Sequence, residues 1–167
     1  AMNMELVKPE NYPFKKFKVS KLHQNTIKRA ITKEEIQAVI NFPITGKDFY
    51  TCLAVNLFAF SYFMGGINFV DMAYLTENSI INNRLIYNRK KTSKLINLPM
   101  QERALMVLKG YKDKSSPYLF PILSSYHKTE QQRLNRLHKV ITKVNAALKT
   151  IGKELGIPIK LTTYVVN

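Results

Sequence analysis

The sequence predicts a mainly α fold with a small antiparallel β-hairpin, and three observations predict it. The segment "FYTCLAVNLFAFSYFM", Phe49 to Met64, is apolar nearly all round, the mark of a central helix with no solvent face. Residues 130 to 155 place Leu134, Leu137, Ile141, Val144, Leu148 and Ile151 at helical spacing along an otherwise basic stretch. Between these, "RLIYNRKKTSKLINLPM" holds two short alternating runs around a cationic turn, the pattern of a hairpin.

A chain of 167 residues with 46% hydrophobic residues has room for one core and is too apolar to be disordered. The first 28 residues read as an arm or linker, because they carry Pro9, Pro13 and the lysine-rich "PFKKFKVSK" with little periodicity. A first helix starts after Thr32. In "TKEE" the Thr32 hydroxyl accepts from the backbone three residues on and Glu35 reaches back, a capping box. Ile36, Val39 and Ile40 form its buried face, and Pro43 and Gly46 end it. Asp48 caps the central helix, in which Leu57 and Phe60 are expected to be nearly fully buried, and Gly65-Gly66 breaks it. Asn68 caps a short third helix, "FVDMAYL". After the hairpin, "QERALMVLKGYK" is helical again and "SSPYLFPIL" is a loop with apolar anchors. Residues 130 to 155 form one long helix or two shorter ones. "GIPIK" interrupts, and "LTTYVVN" reads as the first turn of another helix, capped by Thr162 or Thr163.

The charge balance points to an anionic partner. Lys plus Arg number 26 against 11 Asp plus Glu, a formal net charge of +15. Such an excess selects nucleic acid first and an anionic membrane second. The most apolar run, Leu53 to Met64, contains Asn56 and Ser61 and is too short to span a bilayer. Cys52 is the only cysteine, which excludes an intrachain disulfide and fits a reducing cytosol. Three His and one Cys match no zinc spacing, so no metal site is expected. There is no GK[ST] phosphate loop and no G-x-S-x-G elbow.

The cationic turn remains. A two-stranded ribbon enters a DNA groove, and a lysine at its tip reaches the backbone beside a scissile phosphate. There it can protonate a departing 5′-oxygen, which is otherwise a poor leaving group. The plainer reading is a solvated basic turn; in the catalytic reading the turn is expected to be exposed and mobile without DNA, its cations repelling one another and having no packed neighbours.

Five segments, "FAFSYFMGGINFVDMAYL", "LIYNRKKTSKLINLPM", "YLFPIL", "NAALKTIGKELGI" and "LTTYVVN", resemble in order the catalytic domain of tyrosine recombinases. More narrowly they resemble the integrase branch of conjugative transposons and related mobile elements. The entry "NTIKRAITKEEI" is similar too, so the resemblance covers about residues 25 to 167. It implies that residues 29 to 167 are an incomplete catalytic domain and that residues 1 to 28 lead from a preceding DNA-binding domain. It implies site-specific strand exchange on double-stranded DNA through a 3′-phosphotyrosyl link. That link conserves the bond energy, so no metal and no cofactor is needed.

Residue by residue, the resemblance makes Lys91 of "K-T" the general acid, with Arg89, Lys90 and Lys94 as DNA-binding neighbours. The first phosphate-clamping arginine falls at Asn68, with Gly65 at an upstream alternative place and Asp71 at the family's acidic position. The histidine falls at Tyr164 and the second arginine at Asn167. None of these clamp positions carries the family's cation. An arginine grips phosphate through charge-assisted, often bidentate bonds, whereas Asn68 offers a neutral amide and reads more simply as a helix cap. Tyr164 precedes the second-arginine position, so it is not the nucleophile by position and reads as a half-buried aromatic at a helix start. The nucleophilic tyrosine is expected past Asn167. The resemblance implies a tetramer on DNA for a full-length relative and a monomer for this chain, and the lone Cys52 makes a cytoplasmic location the expectation. Two alternatives stand beside it: a degenerate, non-catalytic DNA-binding relative, and a basic structural or RNA-binding protein. An RNA binder usually displays aromatics on a sheet, while here they concentrate in the apolar helix.

Overall fold

In a computed structural model, residues 31 to 111 and 116 to 165 are described. The expected arm at residues 1 to 28 and the position of Asn167 lie outside them. The elements run α1 (Lys33–Ile40), α2 (Phe49–Phe63), α3 (Phe69–Tyr74), a 3-10 turn (Glu77–Ser79), β1 (Ile80–Ile81), β2 (Arg84–Asn88), β3 (Leu95–Pro99), α4 (Glu102–Lys109) and α5 (Glu130–Glu154). The architecture is mainly α with a small antiparallel sheet, as the sequence predicts.

Helix α2 is the hub. It packs against α1, α3, α4 and α5, which is why nearly its whole circumference is apolar. Leu53, Ala54, Leu57 and Phe60 are almost wholly inaccessible, the last two at 1% and 0%. Phe60 meets Phe120 edge-to-face with ring centroids 5.0 Å apart, anchoring the loop "SSPYLFPIL" to the hub. The caps are the expected ones. Thr32 and Glu35 exchange bonds with each other's backbone at 2.8 and 3.2 Å. The Asp48 carboxylate accepts from the Tyr50 and Thr51 N–H groups.

The exit from α2 fixes where α3 begins. Gly65 adopts φ +69, the left-handed conformation that costs glycine little. The Gly66 N–H then donates back to the Ser61 carbonyl at 2.8 Å. The buried Ser61 hydroxyl donates to the Ile67 carbonyl at 2.7 Å, tying the turn to the helix it leaves. Asn68 comes next in the chain and caps α3.

The hairpin expected from the sequence is β2 against β3, in register from Arg84↔Pro99 to Asn88↔Leu95. A third strand, β1, pairs with the other edge of β2. It escapes the sequence reading because it is two residues long, although Asn82 and Asn83 announce its turn. Both take positive φ, 48 and 57, as a two-residue hairpin turn requires.

Two sequence expectations about α5 and its sequel change. Residues 130 to 154 form one continuous helix, and its buried stripe is Leu137, Val140, Val144, Leu148 and Ile151. Leu134 is 50% exposed, because at about 100° per residue it sits well to one side of that stripe. After a glycine stop at Gly156, "LTTY" forms a turn. The Val165 N–H donates to the Thr162 carbonyl and the Tyr164 N–H to the Thr162 hydroxyl. No helix is formed there among the described residues. Tyr164 is 67% exposed, not half-buried, because it sits on this turn and not on the packed face of a helix.

The hub sets the stability. Phe60→Ala removes a ring from the best-packed point of the core and is expected to cost roughly 3–5 kcal/mol, read as a large fall in melting temperature. Tyr62→Ala, on a half-buried position of the same helix, is expected to cost less.

Candidate functional site

The site is built where the N-terminal turn of α3 meets the β2–β3 turn. Asp71, one turn into α3, is 2% exposed. A buried carboxylate must be paired and hydrogen-bonded or it does not stay charged. Its Oδ1 accepts from the backbone N–H of Lys90 at 2.8 Å. Its Oδ2 accepts from the Asn68 side-chain amide at 2.6 Å and lies 3.8 Å from Nε of Arg89. The Asn68 oxygen in turn accepts the Asp71 N–H at 2.8 Å. The capping role read for Asn68 is therefore the one it performs, and both ends of its amide are engaged by Asp71.

The turn itself is tight. The Arg89 N–H donates to the Lys94 carbonyl at 2.9 Å and the Ser93 N–H to the Arg89 carbonyl at 2.7 Å. Ser93 takes a left-handed φ of 54. Asp71 then holds one shoulder of this turn to α3. Lys90 lays its ammonium 4.1 Å from the centroid of the Tyr74 ring, at the end of α3, a cation–π contact. So the expectation of a turn without packed neighbours is wrong for Arg89 and Lys90. Their side chains remain exposed, yet like charges gathered at a turn repel, and the buried carboxylate offsets that repulsion. Lys91 and Lys94 are exposed, and among the described residues neither makes an ion pair.

Tyr87, on β2 below the turn, completes the cluster. Burial, then the nearby Asp71 charge, push its hydroxyl up to about 12, against the pull of Arg89. The hydroxyl of Tyr74 is also raised, first by burial, with Arg133 of α5 acting in the opposite direction. Asp71, Tyr74, Leu75, Ser79, Tyr87, Asn88 and Lys90 surround a notch of about 270 Å³.

The remaining sequence-predicted positions do not join this cluster among the described residues. Tyr164 sits on the turn after α5, and Asn167 is outside the described range. No group of three or more His, Cys, Asp or Glu is placed to hold a metal among the described residues, and no described helix is long and apolar enough to cross a membrane. Sequence reasoning names Asp71 only as an acidic position. It misses the role of Asp71 as the clamp of the turn, and it misses Tyr74 and Tyr87. The spacing Asn68–Asp71 marks a cap, but nothing local says that residue 71 meets residues 89 and 90.

The chain aligns in space with the crystal structure of XerA recombinase, at a TM-score of 0.55 and 16% identity. The fold is tyrosine-recombinase-like. The alignment covers 86% of this chain and 48% of that one, so the recombinase-like domain spans about half the length of its neighbour. At this identity the likeness concerns the fold and leaves the integrase branch undecided. No family model matches the chain, and no curated protein matches it in sequence.

Removing the clamp has a clear expected outcome. Asp71→Ala strips the partners from the Lys90 N–H, the Arg89 guanidinium and the Asn68 amide. Hydrogen bonds to a charged group contribute about 1.5–3 kcal/mol each, so a loss of roughly 3 kcal/mol is expected. The amide of Lys90 should exchange with solvent far faster. Lys91→Ala should leave the melting temperature nearly unchanged, as for most surface substitutions.

Alkaline pH tests Tyr87. Its folded pKa of about 12 lies above the ordinary value near 10. The folded state therefore holds its proton longer than the unfolded state. Its contribution to stability is complete below about pH 10 and is lost as pH rises toward 12. Tyr87→Phe should flatten the fall in stability over that window, measured by denaturant melts at several pH values.

Proposed function

We propose that the chain is catalytic-domain material of a site-specific DNA recombinase that integrates or excises a mobile element, acting on double-stranded DNA in the cytoplasm. One observation supports this most. On a recombinase-like fold, a buried carboxylate is committed to holding the basic turn, while Lys91 at that turn is left without an ion-pair partner among the described residues. In this reading a tyrosine outside the described residues gives up its phenolic proton to solvent and attacks a DNA phosphate. The P–O bond to the tyrosine forms as the P–O5′ bond breaks, and the Lys91 ammonium gives its proton to the departing 5′-oxygen. Arg89, Lys90 and Lys94 supply charge along the backbone. The chain acts as a monomer in solution, and a full-length protein assembles as a tetramer on DNA.

A second reading has its own observation. Asn68 stands at the first-arginine position, with its amide spent on Asp71, and Asn167 stands at the second. A relative that binds DNA without cutting it needs neither arginine.

Binding and cleavage separate these readings. The chain is expected to bind duplex DNA weakly, with affinity falling steeply as salt rises through counterion release. Absence of any retained duplex at low salt would sink both. In a form of the protein that carries the nucleophilic tyrosine, Lys91→Ala should slow strand cleavage by about 10²–10⁴-fold, the usual worth of general acid catalysis. A substrate with a 5′-bridging sulfur needs no protonation to leave, so it should restore cleavage by that variant. Rescue in Lys90→Ala or Arg89→Ala instead would move the acid to that residue. Duplex binding with no cleavage of either substrate by the unmutated protein would select the non-cutting reading.

A further inference from the structure

We propose that the notch between α3 and the β2–β3 turn is a second phosphate subsite, distinct from the Lys91 position, whose cation is Lys90 seated over Tyr74. Lys91 does not line this notch, whereas Lys90 does. The ligand class is a phosphodiester of a nucleic-acid backbone, and a free orthophosphate shares the same chemistry. The inference rests on the nucleic-acid reading of the chain for the first of these sources.

Charge comes first. The one carboxylate in the notch, Asp71, already accepts from the Lys90 N–H and the Asn68 amide and faces Arg89. Counting Arg89 and Lys90 against Asp71 leaves one net positive charge, and each Asp71 oxygen already accepts one hydrogen bond. On the α5 side Arg133 and Glu130 act on Tyr74 with opposite signs, Arg133 the more strongly. The positive end of the notch is thus the Lys90 ammonium.

Hydrogen-bond donors come second. The Ser79 oxygen accepts the Thr76 N–H at 3.1 Å, which leaves its own hydrogen to donate. The Tyr87 hydroxyl, pushed up to about 12, remains a donor throughout the neutral range. Asn88 adds a side-chain amide to the lining. A cation with neutral donors beside it, and the one carboxylate already engaged by its own partners, is an arrangement that can hold a phosphate group.

Positioning comes third. A lysine at an exposed turn ordinarily samples many rotamers. The Tyr74 ring, 4.1 Å from Nζ, restricts the ammonium to the mouth of the notch without neutralising it. An aspartate or glutamate in that place would hold the lysine equally well and cancel its charge. Tyr74 is therefore a positioning residue, and its ring rather than its hydroxyl is what positions Lys90.

The test measures duplex DNA affinity against salt for the unmutated chain, Lys90→Ala, Tyr74→Leu and Tyr74→Phe, each checked for an unchanged fold by circular dichroism. The Lys90→Ala change leaves the backbone N–H that Asp71 holds, so the turn should survive it. One phosphate contact contributes about 0.9 to the slope of log affinity against log salt. Lys90→Ala should lower the slope by about that amount, Tyr74→Leu should move it in the same direction, and Tyr74→Phe should leave it unchanged. In parallel, inorganic phosphate is titrated while amide shifts are tracked by NMR, with changes expected at Ser79, Asn88 and Lys90. A full salt slope in Lys90→Ala, together with no phosphate-dependent shift at these residues, overturns the subsite and leaves the DNA reading standing. If the unmutated chain binds no duplex, the DNA reading fails and the phosphate titration decides alone. Shifts confined to the notch then support a site for free phosphate, and their absence overturns the proposal.

Discussion

The arrangement of this domain's basic surface depends on one buried carboxylate. Asp71 is almost inaccessible and surrounded by donors from three places: its own helix cap, the backbone of the β2–β3 turn and the Arg89 side chain. An isolated carboxylate in that position would be very costly. The cost is offset only if the turn stays docked on α3, so burial of the charge and docking of the turn are one event. That coupling gives a sheet of three short strands a fixed place on a helical body. Alone, such a sheet is close to the smallest that holds together in water.

The carboxylate can do this because its helix is itself immobile. Helix α3 is only six residues long and would not persist by propensity alone. It is held through Phe69, Met72 and Ala73, which are buried, and through the Gly65–Gly66 exit that sends the chain straight from α2 into the Asn68 cap. The order of dependence runs from the apolar hub, through a glycine turn, to a cap, to a carboxylate and finally to the cations. Each step is local in sequence except the last, which crosses from residue 71 to residues 89 and 90.

Asn68 serves the scaffold and not the charge of the site. An arginine at that place would bring a charge and a long, bidentate reach. The asparagine brings neither, yet it closes two hydrogen bonds within one helical turn. Its presence strengthens the scaffold under the turn while leaving the cationic side of the site to Arg89, Lys90, Lys91 and Lys94. The positive charge of the region is therefore concentrated on one hairpin rather than shared with α3.

The fold class, the order of the helices, the capping residues Thr32, Asp48 and Asn68, and the hairpin around Arg89 to Lys94 are legible in the sequence. These rest on periodicity, on caps and on turn chemistry, all of which act over a few residues. The sequence also carried the recombinase resemblance, and with it the choice of Lys91. Packing, by contrast, makes Asp71 the clamp of the turn, rests Lys90 on Tyr74 and leaves Tyr164 facing solvent. It also decided that Leu134 falls off the buried stripe and that Ile80–Ile81 adds a third strand. These outcomes depend on which surfaces meet across long separations in the chain. A buried carboxylate finds its donors through packing, and no local pattern states where that packing will bring them.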